Sequence, residues 1–273
     1  MLILFPQIKI TQRRLHIMKI IAIVNQKGGV GKTVTAVNLA VGLAREGKKV
    51  IAIDFDAQGS LTVSLGYSEQ DKMDTTVSTV LEKIIEDKPI APDEGILHHE
   101  EGIDLLPANI ELSGLEVTLV NTMSRECVLR EYLKTISNSY DIAVIDCSPS
   151  LGMLTINALT AADEVIIPVQ AQYLSIKGME QLFRTIGRVR KQLNPNLQIG
   201  GVLITMADLR TNYTKDIISL LHNSYGRKIK IFDSVIPLSV RAAEMSAEGK
   251  SIYLHDPNGK VSIAYKGFIK EVG

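Results

Sequence analysis

The sequence has no net charge and very little cysteine. Lys plus Arg and Asp plus Glu each number 30 in 273 residues, so the formal charge at neutral pH is zero. Any attraction to nucleic acid or to a membrane must therefore come from a local patch. The two cysteines, Cys127 and Cys147, do not form a CxxC pair, which argues against a disulfide scaffold, a zinc site or an iron–sulfur cluster. This cysteine usage favours a reducing cytoplasm.

Long apolar runs are also missing from the sequence. No run reaches the roughly 18 to 20 residues that a membrane span needs, and the first residues lack the layout of a signal peptide with a small-residue cleavage site. We expect a soluble, cytoplasmic protein. Because Met18 opens a strand-like apolar run, we predict that residues 1–17 are an N-terminal extension and that 18–273 form a single domain.

Short apolar runs alternate with longer helical patterns, which is typical of βαβ units and a parallel sheet. The predicted strands are 19–24, 50–54, 141–146, 164–169 and 199–205. The predicted helices are 33–46, 124–137, 153–161, 175–193, 211–224 and 260–271, whereas 67–123 is less regular. Each strand is nearly continuous in apolar residues, so we expect helices on both faces of the sheet.

A glycine-rich loop follows the first predicted strand. It reads Lys27-Gly28-Gly29-Val30-Gly31-Lys32-Thr33, and a helical pattern begins at its end. A phosphate-binding P-loop requires this strand–loop–helix context, because backbone N–H groups then converge on phosphate oxygens at the positive end of a helix dipole. We predict that Lys32 neutralises the β- and γ-phosphates of ATP and that Thr33 ligates Mg²⁺. The sequence thus predicts an α/β, three-layer P-loop NTPase fold with a mainly parallel central sheet.

Three aspartates stand at the ends of predicted strands. Asp54 and Asp56 end the second strand, where the i, i+2 spacing of an extended chain places both carboxylates on one face, able to hold a water for attack on the γ-phosphate. Asp146 ends a third apolar strand, as a Walker B carboxylate in the Mg²⁺ shell would. The alternative for Asp146 is a helix cap or turn residue, and an isolated Asp-x-Asp is more often a turn.

Several motifs in order resemble the deviant Walker A ATPases that include ParA/Soj and MinD. The resemblance to the Soj-like ParA branch covers nearly the whole chain from Lys19. It is carried by NQKGGVGKT (25–33), DFDAQG (54–59), DCSPSLG (146–152), TMADLRT (205–211) and IPLSVR (236–241). The combination is far more specific than any one motif.

The resemblance implies an ATP-dependent sandwich dimer with slow basal hydrolysis. Lys27, the extra lysine at the start of the loop, would reach across the dimer interface to the partner's nucleotide and act with Lys32 as a catalytic residue. Asp56 would orient or activate the attacking water, while Asp54 would support the switch region and the metal shell. The Val34 backbone N–H would complete the phosphate-binding loop.

The resemblance also implies contacts with adenine and DNA. Met206, Pro237 and Ser239 match positions that close over adenine in the family, although a Met at a strand end more often packs and Ile-Pro is commonly a loop entry. Arg210 and Arg241 match arginines that bind duplex DNA without sequence specificity by neutralising phosphates. The alternative for these two residues is a pair of solvated surface arginines in local ion pairs.

The match departs from the family pattern at several positions. Val34 replaces a hydroxyl residue that usually follows the magnesium ligand, Ala57 and Ser148 replace prolines, and Ser60 replaces an asparagine. Leu238-Ser239 stands where an Arg-Asn pair is common. These changes affect the base contacts, the switch stiffness and the number of DNA contacts, but they leave the phosphate chemistry intact.

Three functional hypotheses remain. The first is a nucleoid-associated ATPase that partitions a plasmid or chromosome with a ParB-like partner, which stimulates hydrolysis. The second is a MinD-like membrane ATPase, which would need a basic amphipathic C-terminal helix, whereas the weakly basic tail 260–271 with Gly267 fits core docking better and predicts no stable membrane association. The third is a non-hydrolysing scaffold.

A basic stripe in the helix 175–193 is either a solvated face or a DNA-facing strip; it consists of Lys177, Arg184, Arg188 and Lys191.

Overall fold

Eight strands form one sheet at the centre of the computed structural model, which describes residues 18–273 apart from the side chains of Leu174, Ile176 and Lys177. The predicted extension 1–17 lies outside the described residues. The strands are β1 (Lys19–Ile23), β2 (Val50–Phe55), β3 (Leu97–His98), β4 (Asp104–Leu106), β5 (Ile142–Cys147), β6 (Glu164–Gln170), β7 (Gln198–Ala207) and β8 (Ile231–Pro237).

The sheet order is β3-β4-β2-β5-β1-β6-β7-β8. Every neighbouring pair is parallel except β3 and β4 at one edge, which are antiparallel. The predicted mainly parallel sheet is confirmed. The carboxyl ends of the parallel strands meet at one edge, where ligands bind in open α/β sheets.

Eleven helices are found in the described part of the chain. They are α1 (Lys32–Arg45), α2 (Ser60–Ser64), α3 (Val77–Ile85), α4 (Glu111–Leu119), α5 (Val128–Ile136), α6 (Met153–Ala161), α7 (Tyr173–Gln192), α8 (Asn212–Tyr225), α9 (Val240–Ala247), α10 (Ile252–His255) and α11 (Lys260–Val272). A single turn of 3-10 helix also spans Gln70–Lys72.

Two apolar clusters cover the two faces of the sheet. Helices α1, α2, α9, α10 and α11 contribute buried side chains to one cluster, and α3 to α8 contribute to the other. The central strands β2 and β5 are buried at every position, as expected for strands with helices on both faces. The three-layer α/β arrangement is confirmed.

The structure corrects the predicted helix 124–137, which begins only at Val128. Ser124 has a φ of 52°, in the left-handed region, so a right-handed helix cannot start there. The segment 67–123, which showed no clear pattern, contains α3, α4 and the two shortest strands. Strands of two and three residues are too short to carry a periodic signal.

The C-terminal helix α11 docks on the sheet, as the tail's sequence predicted. Tyr265 and Phe268 are fully buried, and the Phe268 ring lies edge-on against Phe232 of β8 with centroids 4.9 Å apart. The apolar face of α11 is therefore used in the core. No helix among residues 18–273 is both long and apolar enough to cross a membrane.

Candidate nucleotide-binding site

The glycine loop lies between the carboxyl end of β1 and the start of α1. Gly29 and Gly31 have φ values of 69° and 80°, a left-handed conformation that residues with a Cβ rarely adopt. A Cβ added to Gly28 or Gly29 would meet nothing within 4 Å, so the space beside these residues is open. The loop therefore forms a cradle next to a free volume.

The first turn of α1 presents backbone donors to this cradle. Its cap residue is Gly31, which has no side chain to bond the first N–H groups of the helix. Two side chains from neighbouring strands hold the loop. The Thr205 hydroxyl donates to the Val30 carbonyl at 2.8 Å, and the Gln170 amide donates to the Gly29 carbonyl at 2.8 Å. The arrangement is suited to binding phosphate.

Lys32 points into the loop and is buried, with 7% of its surface exposed. Its Nζ donates to the Lys27 carbonyl at 3.3 Å. Burial lowers the pKa of Lys32, and the neighbouring Asp146 carboxylate opposes that shift. A polyanion in the cradle would stabilise the ammonium form, as a phosphate does for a P-loop lysine.

Lys27 takes a different direction from Lys32. Its Nζ donates to Gln172 Oε1 at 3.0 Å and to Ser175 Oγ at 3.1 Å, both at the start of α7. Its backbone N–H donates to Asn25 Oδ1 at 2.9 Å, which fixes the entry to the loop. The two lysines of the loop thus have separate surroundings.

Thr33 and Asp146 form the candidate metal site. The Thr33 hydroxyl donates to Asp146 Oδ2 at 2.7 Å, while the buried Asp146 Oδ1 has no hydrogen-bond partner among the described residues. Burial, followed by repulsion from Asp54, raises the pKa of Asp146 to about 8. A buried carboxylate oxygen without a partner, beside a hydroxyl, fits a divalent cation that would restore the ionised form.

The protein provides few ligands at this position. No group of three or more His, Cys, Asp or Glu side chains is placed to hold a metal within residues 18–273. This donor set suits Mg²⁺, which usually takes one or two protein oxygens and completes its shell with phosphate oxygens and water. It does not suit a resident zinc ion.

Asp54 lies beside Asp146 in the register of β2 and β5 and is fully buried. Its Oδ2 accepts from the Thr62 N–H at 2.8 Å and from the Thr62 hydroxyl at 2.7 Å, and its Oδ1 accepts from the Asp56 N–H at 3.3 Å. Burial raises the pKa of Asp54 to about 6 despite these bonds. Asp54 therefore ties the end of β2 to α2.

Asp56 lies one residue beyond β2, in a turn, and is half-buried. The strand ends at Phe55, so the side-chain alternation that predicts a shared face for Asp54 and Asp56 does not reach Asp56. Its Oδ1 accepts from the Gln58 N–H at 3.1 Å. Since Asp54 is engaged by Thr62 and the backbone, Asp56 is the better placed of the two for contact with a water molecule.

The candidate base contacts lie at the carboxyl ends of β7 and β8. Met206 has a φ of 52° and is 43% exposed, and its sulfur accepts from the Gln170 amide at 3.1 Å. Pro237 is opposite Ala207 in the register, and the Ser239 hydroxyl caps α9 by accepting from the Arg241 N–H. The structure brings these residues to the same edge of the sheet as the loop.

Arg210 and Arg241 are exposed and form local ion pairs. Arg210 donates to both oxygens of Asp208 at 2.8 Å, which lowers the pKa of Asp208 to about 2. Arg241 donates to Glu244 at 3.2 Å, three residues further along α9. Both guanidinium groups remain accessible to a phosphate.

In the stripe on α7, Arg184, Arg188 and Lys191 are exposed, whereas the Lys177 side chain lies outside the described residues.

The departures from the family pattern have simple local environments. Val34 is half-buried and packs against the apolar cluster on the α1 face. Ser148 and Ser150 lie with hydroxyl oxygens 3.1 Å apart in the loop after β5. Leu238 is 61% exposed. None of these residues interrupts the cradle.

Sequence reasoning missed four residues that hold the site in place. They are Thr62, Gln170, Gln172 and Ser175, which contact Asp54, Gly29 and Lys27. A signal existed for Gln170, a polar residue that directly follows the predicted strand 164–169, and Gln172 lies two residues further on. Thr62 and Ser175 lie in short or ordinary helical segments and carried no such signal.

The fold and the loop define a P-loop ATPase. A model of the AAA domain family matches residues 18–199. The sporulation initiation inhibitor protein Soj of Bacillus subtilis is 44% identical over 254 residues, which cover 93% of this chain and 98% of Soj. The chromosome partitioning protein ParA of Myxococcus xanthus is 40% identical over 93% of this chain and 87% of its own length.

A solved structure is similar over the same extent. The cobyrinic acid a,c-diamide synthase of Mycobacterium smegmatis, with bound ATP analog and magnesium, gives a TM-score of 0.80 at 34% identity and covers 93% of each chain. The motifs and the fold agree with the similarity to Soj and ParA. The chain belongs to the ParA/Soj family of P-loop partitioning ATPases.

Proposed function

We propose that this chain binds Mg·ATP and forms an ATP-dependent sandwich dimer that binds duplex DNA without sequence specificity. A ParB-like partner stimulates hydrolysis, and the resulting cycle partitions a chromosome or plasmid across the nucleoid in the cytoplasm. Basal hydrolysis is slow. The relatives named for chromosome partitioning cover nearly the whole chain and support this assignment.

The position of Lys27 is the observation that carries the proposal. Lys32 already supplies a buried cation to the chain's own phosphate cradle. Lys27 is instead held by the neutral oxygens of Gln172 and Ser175, so its bonds can be exchanged without separating an ion pair. A second subunit that brings a triphosphate to this face would offer a stronger, charged acceptor.

The remaining site residues fit roles in phosphoryl transfer to water. Thr33 and Asp146, with Asp54 behind them, would hold Mg²⁺, which neutralises charge on the phosphates when bound. Asp56 would orient the attacking water. The backbone of residues 27–34 would bind the phosphates, and Met206, Pro237 and Ser239 would border the base. Such chemistry depends on positioning and charge stabilisation.

Dimerisation tests the proposal directly. Light scattering after gel filtration should give a dimer with Mg²⁺ and a non-hydrolysable ATP analogue, and a monomer with ADP. Lys27→Ala should remain monomeric while still binding the analogue, because Lys32 is intact. Lys48→Ala, an exposed lysine away from the loop, is the matched control and should dimerise normally. A monomeric wild-type protein at saturating analogue would refute the proposal.

DNA binding tests the second part of the proposal. ATP, more than ADP, should promote binding to random duplex DNA, and the affinity should fall steeply with salt because phosphate contacts release counterions. Arg241→Ala or Arg210→Ala should weaken binding without changing dimerisation. Arg227→Ala removes an exposed arginine at the opposite end of β8 and is the matched control. Equal effects of all three substitutions would contradict the assigned surface.

The MinD-like alternative predicts a different outcome in the same experiment. It requires ATP-dependent binding to liposomes without binding to DNA. Apart from Ile263, the large apolar residues of α11 are buried and the helix packs on β8 and α1, so it offers no continuous apolar face to lipid. We therefore expect no stable binding of the dimer to anionic liposomes.

A further inference from the structure

A cavity lies at the amino end of the sheet, away from the phosphate loop. It has a volume of about 210 Å³ and lies between the segment that follows α3 and the helix α5. We call it the Tyr132 cavity; its lining residues include Ile90, Asp93, Glu94, Tyr132 and Ser139. Tyr140 also lines it and precedes β5, whose carboxyl end carries Asp146. The Tyr132 cavity is therefore distinct from the candidate nucleotide-binding site.

A second cavity borders the first. It has a volume of about 300 Å³, and Asp93 and Tyr140 are among the residues that line both. Lys49 and Asp104 also line the second cavity. Asp104 is already engaged, because its Oδ2 accepts from the Tyr140 hydroxyl at 2.7 Å and its Oδ1 lies 2.6 Å from His98 Nδ1. Charges of both signs therefore line the second cavity, which makes it the weaker candidate for a charged ligand.

The hydroxyl group of Tyr132 is the unusual feature of the first cavity. The residue is only 1% exposed, and its hydroxyl has no hydrogen-bond partner among the described residues. Burial, followed by the carboxylates of Glu94 and Asp93, raises the pKa of Tyr132, so the hydroxyl lies near the acidic turn that borders the cavity. A buried polar group without a partner costs free energy, and most such groups in folded proteins are satisfied. A group bound in the cavity would supply the missing partner.

Asp93 is the carboxylate that remains available in the Tyr132 cavity. Glu94 is paired with Lys83, and its Oε2 accepts from the Ala91 N–H at 2.9 Å. Asp93 is exposed, and its side chain makes no hydrogen bond or ion pair among the described residues. No Lys or Arg among these residues lines the Tyr132 cavity, and Lys49 lines only the second one. The Tyr132 cavity thus carries one negative charge without a counter-ion.

The other lining groups accept hydrogen bonds or are apolar. The Thr135 hydroxyl donates to the Tyr132 carbonyl at 2.7 Å, so its oxygen can still accept. The apolar part of the lining includes Ile90, Ile96 and Ile136. An ammonium group has three N–H donors and no acceptor, which matches this set of oxygens. At roughly 30 Å³ for each non-hydrogen atom, the share of a water molecule in the liquid, the cavity holds about seven such atoms.

We propose that the Tyr132 cavity binds a small aliphatic amine through its ammonium group. The ammonium donates to the Asp93 carboxylate and to the Tyr132 hydroxyl oxygen, and the alkyl chain packs against the isoleucines of the lining. An anion would meet the carboxylates of Asp93 and Glu94, and a neutral alcohol would leave Asp93 without a counter-ion. No group of three or more His, Cys, Asp or Glu side chains within residues 18–273 is placed to hold a metal ion instead. Binding at this site does not depend on the proposed ATPase function.

Isothermal titration calorimetry of the full-length chain with n-hexylammonium chloride tests the proposal in the absence of nucleotide and Mg²⁺. We expect saturable binding at about 1 mM probe. Binding of n-hexanol at the same ionic strength should be about fivefold weaker, because a partly solvated ion pair is lost, and Asp93→Asn should weaken binding of the ammonium by a similar factor. Asp87→Asn is the matched control, since Asp87 is also exposed and has a φ of 52°, close to the 59° of Asp93, but does not line the cavity. Asparagine tolerates this left-handed conformation.

A second variant tests the hydroxyl group itself. Tyr132→Phe keeps the ring and removes only the hydroxyl, so it should weaken binding about threefold. Unchanged affinity of this variant would show that the hydroxyl does not contact the amine and would overturn the proposal.

Three other outcomes would also overturn the proposal. Equal affinity of Asp93→Asn and Asp87→Asn would indicate nonspecific attraction of a cation. Equal affinity for n-hexylammonium and n-hexanol would indicate an apolar cavity without selectivity for an amine. No saturable binding up to about 20 mM probe would exclude the site and leave a buried water as the partner of Tyr132. Because the assay contains no nucleotide, failure here is distinct from failure of the ATPase assignment.

Discussion

Two parts of the sheet's carboxyl edge differ in the burial of their charged side chains: those in the middle are buried, and those at one side are exposed. At β1, β2 and β5, the charged residues Lys32, Asp54 and Asp146 are buried. After β7 and β8, the Arg210 and Arg241 side chains are 90% and 62% exposed and pair with Asp208 and Glu244, two and three residues away in sequence. Burial of the ionised groups in the middle costs desolvation free energy. The groups at the side stay solvated, and ion pairs at a surface contribute little to stability.

Under the proposed function, this difference explains how one edge would serve two ligands, a nucleotide and DNA. Buried charges act strongly on a ligand that replaces water, as nucleotide and metal would, and they demand exact partners. Exposed arginines exchange an Asp or Glu for a DNA phosphate at little cost and without sequence preference. Three predictions test the comparison.

The largest effect is expected in the buried region, at Thr62. Thr62→Val removes a hydroxyl donor from the buried Asp54 carboxylate and should lower the free energy of unfolding by about 2 kcal/mol at pH 8. Urea unfolding without nucleotide or Mg²⁺ measures this. Thr118→Val, on the exposed side of α4, is the control and should change stability by less than about 0.5 kcal/mol.

The cost of Thr62→Val should depend on pH. Burial raises the folded-state pKa of Asp54 to about 6, and loss of the hydroxyl donor raises it further. Below the unfolded pKa near 4 the carboxyl group is protonated in both states, so the difference should be smallest there and grow as pH rises through 6. A cost that is constant from pH 4 to pH 8 would contradict the assigned bond.

An intermediate effect is expected between the buried and the exposed region, where Lys27 is held by neutral groups. Gln172→Ala combined with Ser175→Ala removes both acceptors of the Lys27 ammonium. The ATP-dependent dimer should then form at a protein concentration about fivefold lower, since two modest hydrogen bonds no longer compete with the partner's nucleotide. Sedimentation velocity measures the midpoint, and Gln181→Ala on the same helix is the control. A higher midpoint would show that Gln172 and Ser175 position Lys27 for dimerisation.

The smallest effect is expected at the exposed side. Asp208→Ala frees Arg210 from its ion pair and should raise the affinity of the ATP-bound protein for duplex DNA about two- to threefold, within the range of an exposed salt bridge. Asp216→Ala removes the same charge from exposed α8 and is the control. Equal gains in an electrophoretic shift would assign the effect to net charge alone.

Much of the site could be predicted because its residues are close in sequence or end apolar strands. The loop 27–33 contains its own glycines, both lysines and Thr33, the threonine predicted to bind Mg²⁺. The strand before Asp146 is a run of apolar residues whose end marks the carboxyl edge. Chain order and apolar runs were enough to place the P-loop and the sheet, because parallel strands deliver their ends to one edge.

The contacts between distant segments could not be predicted in this way. Lys27 meets Ser175 across 148 positions of sequence, and Thr205 meets Val30 across 175. The short strands β3 and β4 pair only because a formed sheet offers them an edge. Helix α4 showed no pattern in the sequence, because its apolar residues lie on both its buried and its exposed sides.

By itself, the sequence determined that this is an α/β P-loop ATPase of the partitioning family, since the phosphate loop and the apolar strands are local features. Only the tertiary structure decided that Lys27 lies apart from Lys32, that Asp54 is tied to Thr62, and that Val117 of α4 and its neighbours Ile110, Val120 and Met123 remain exposed. These three features depend on which segments the folded chain brings together, and burial and pairing are set at that level.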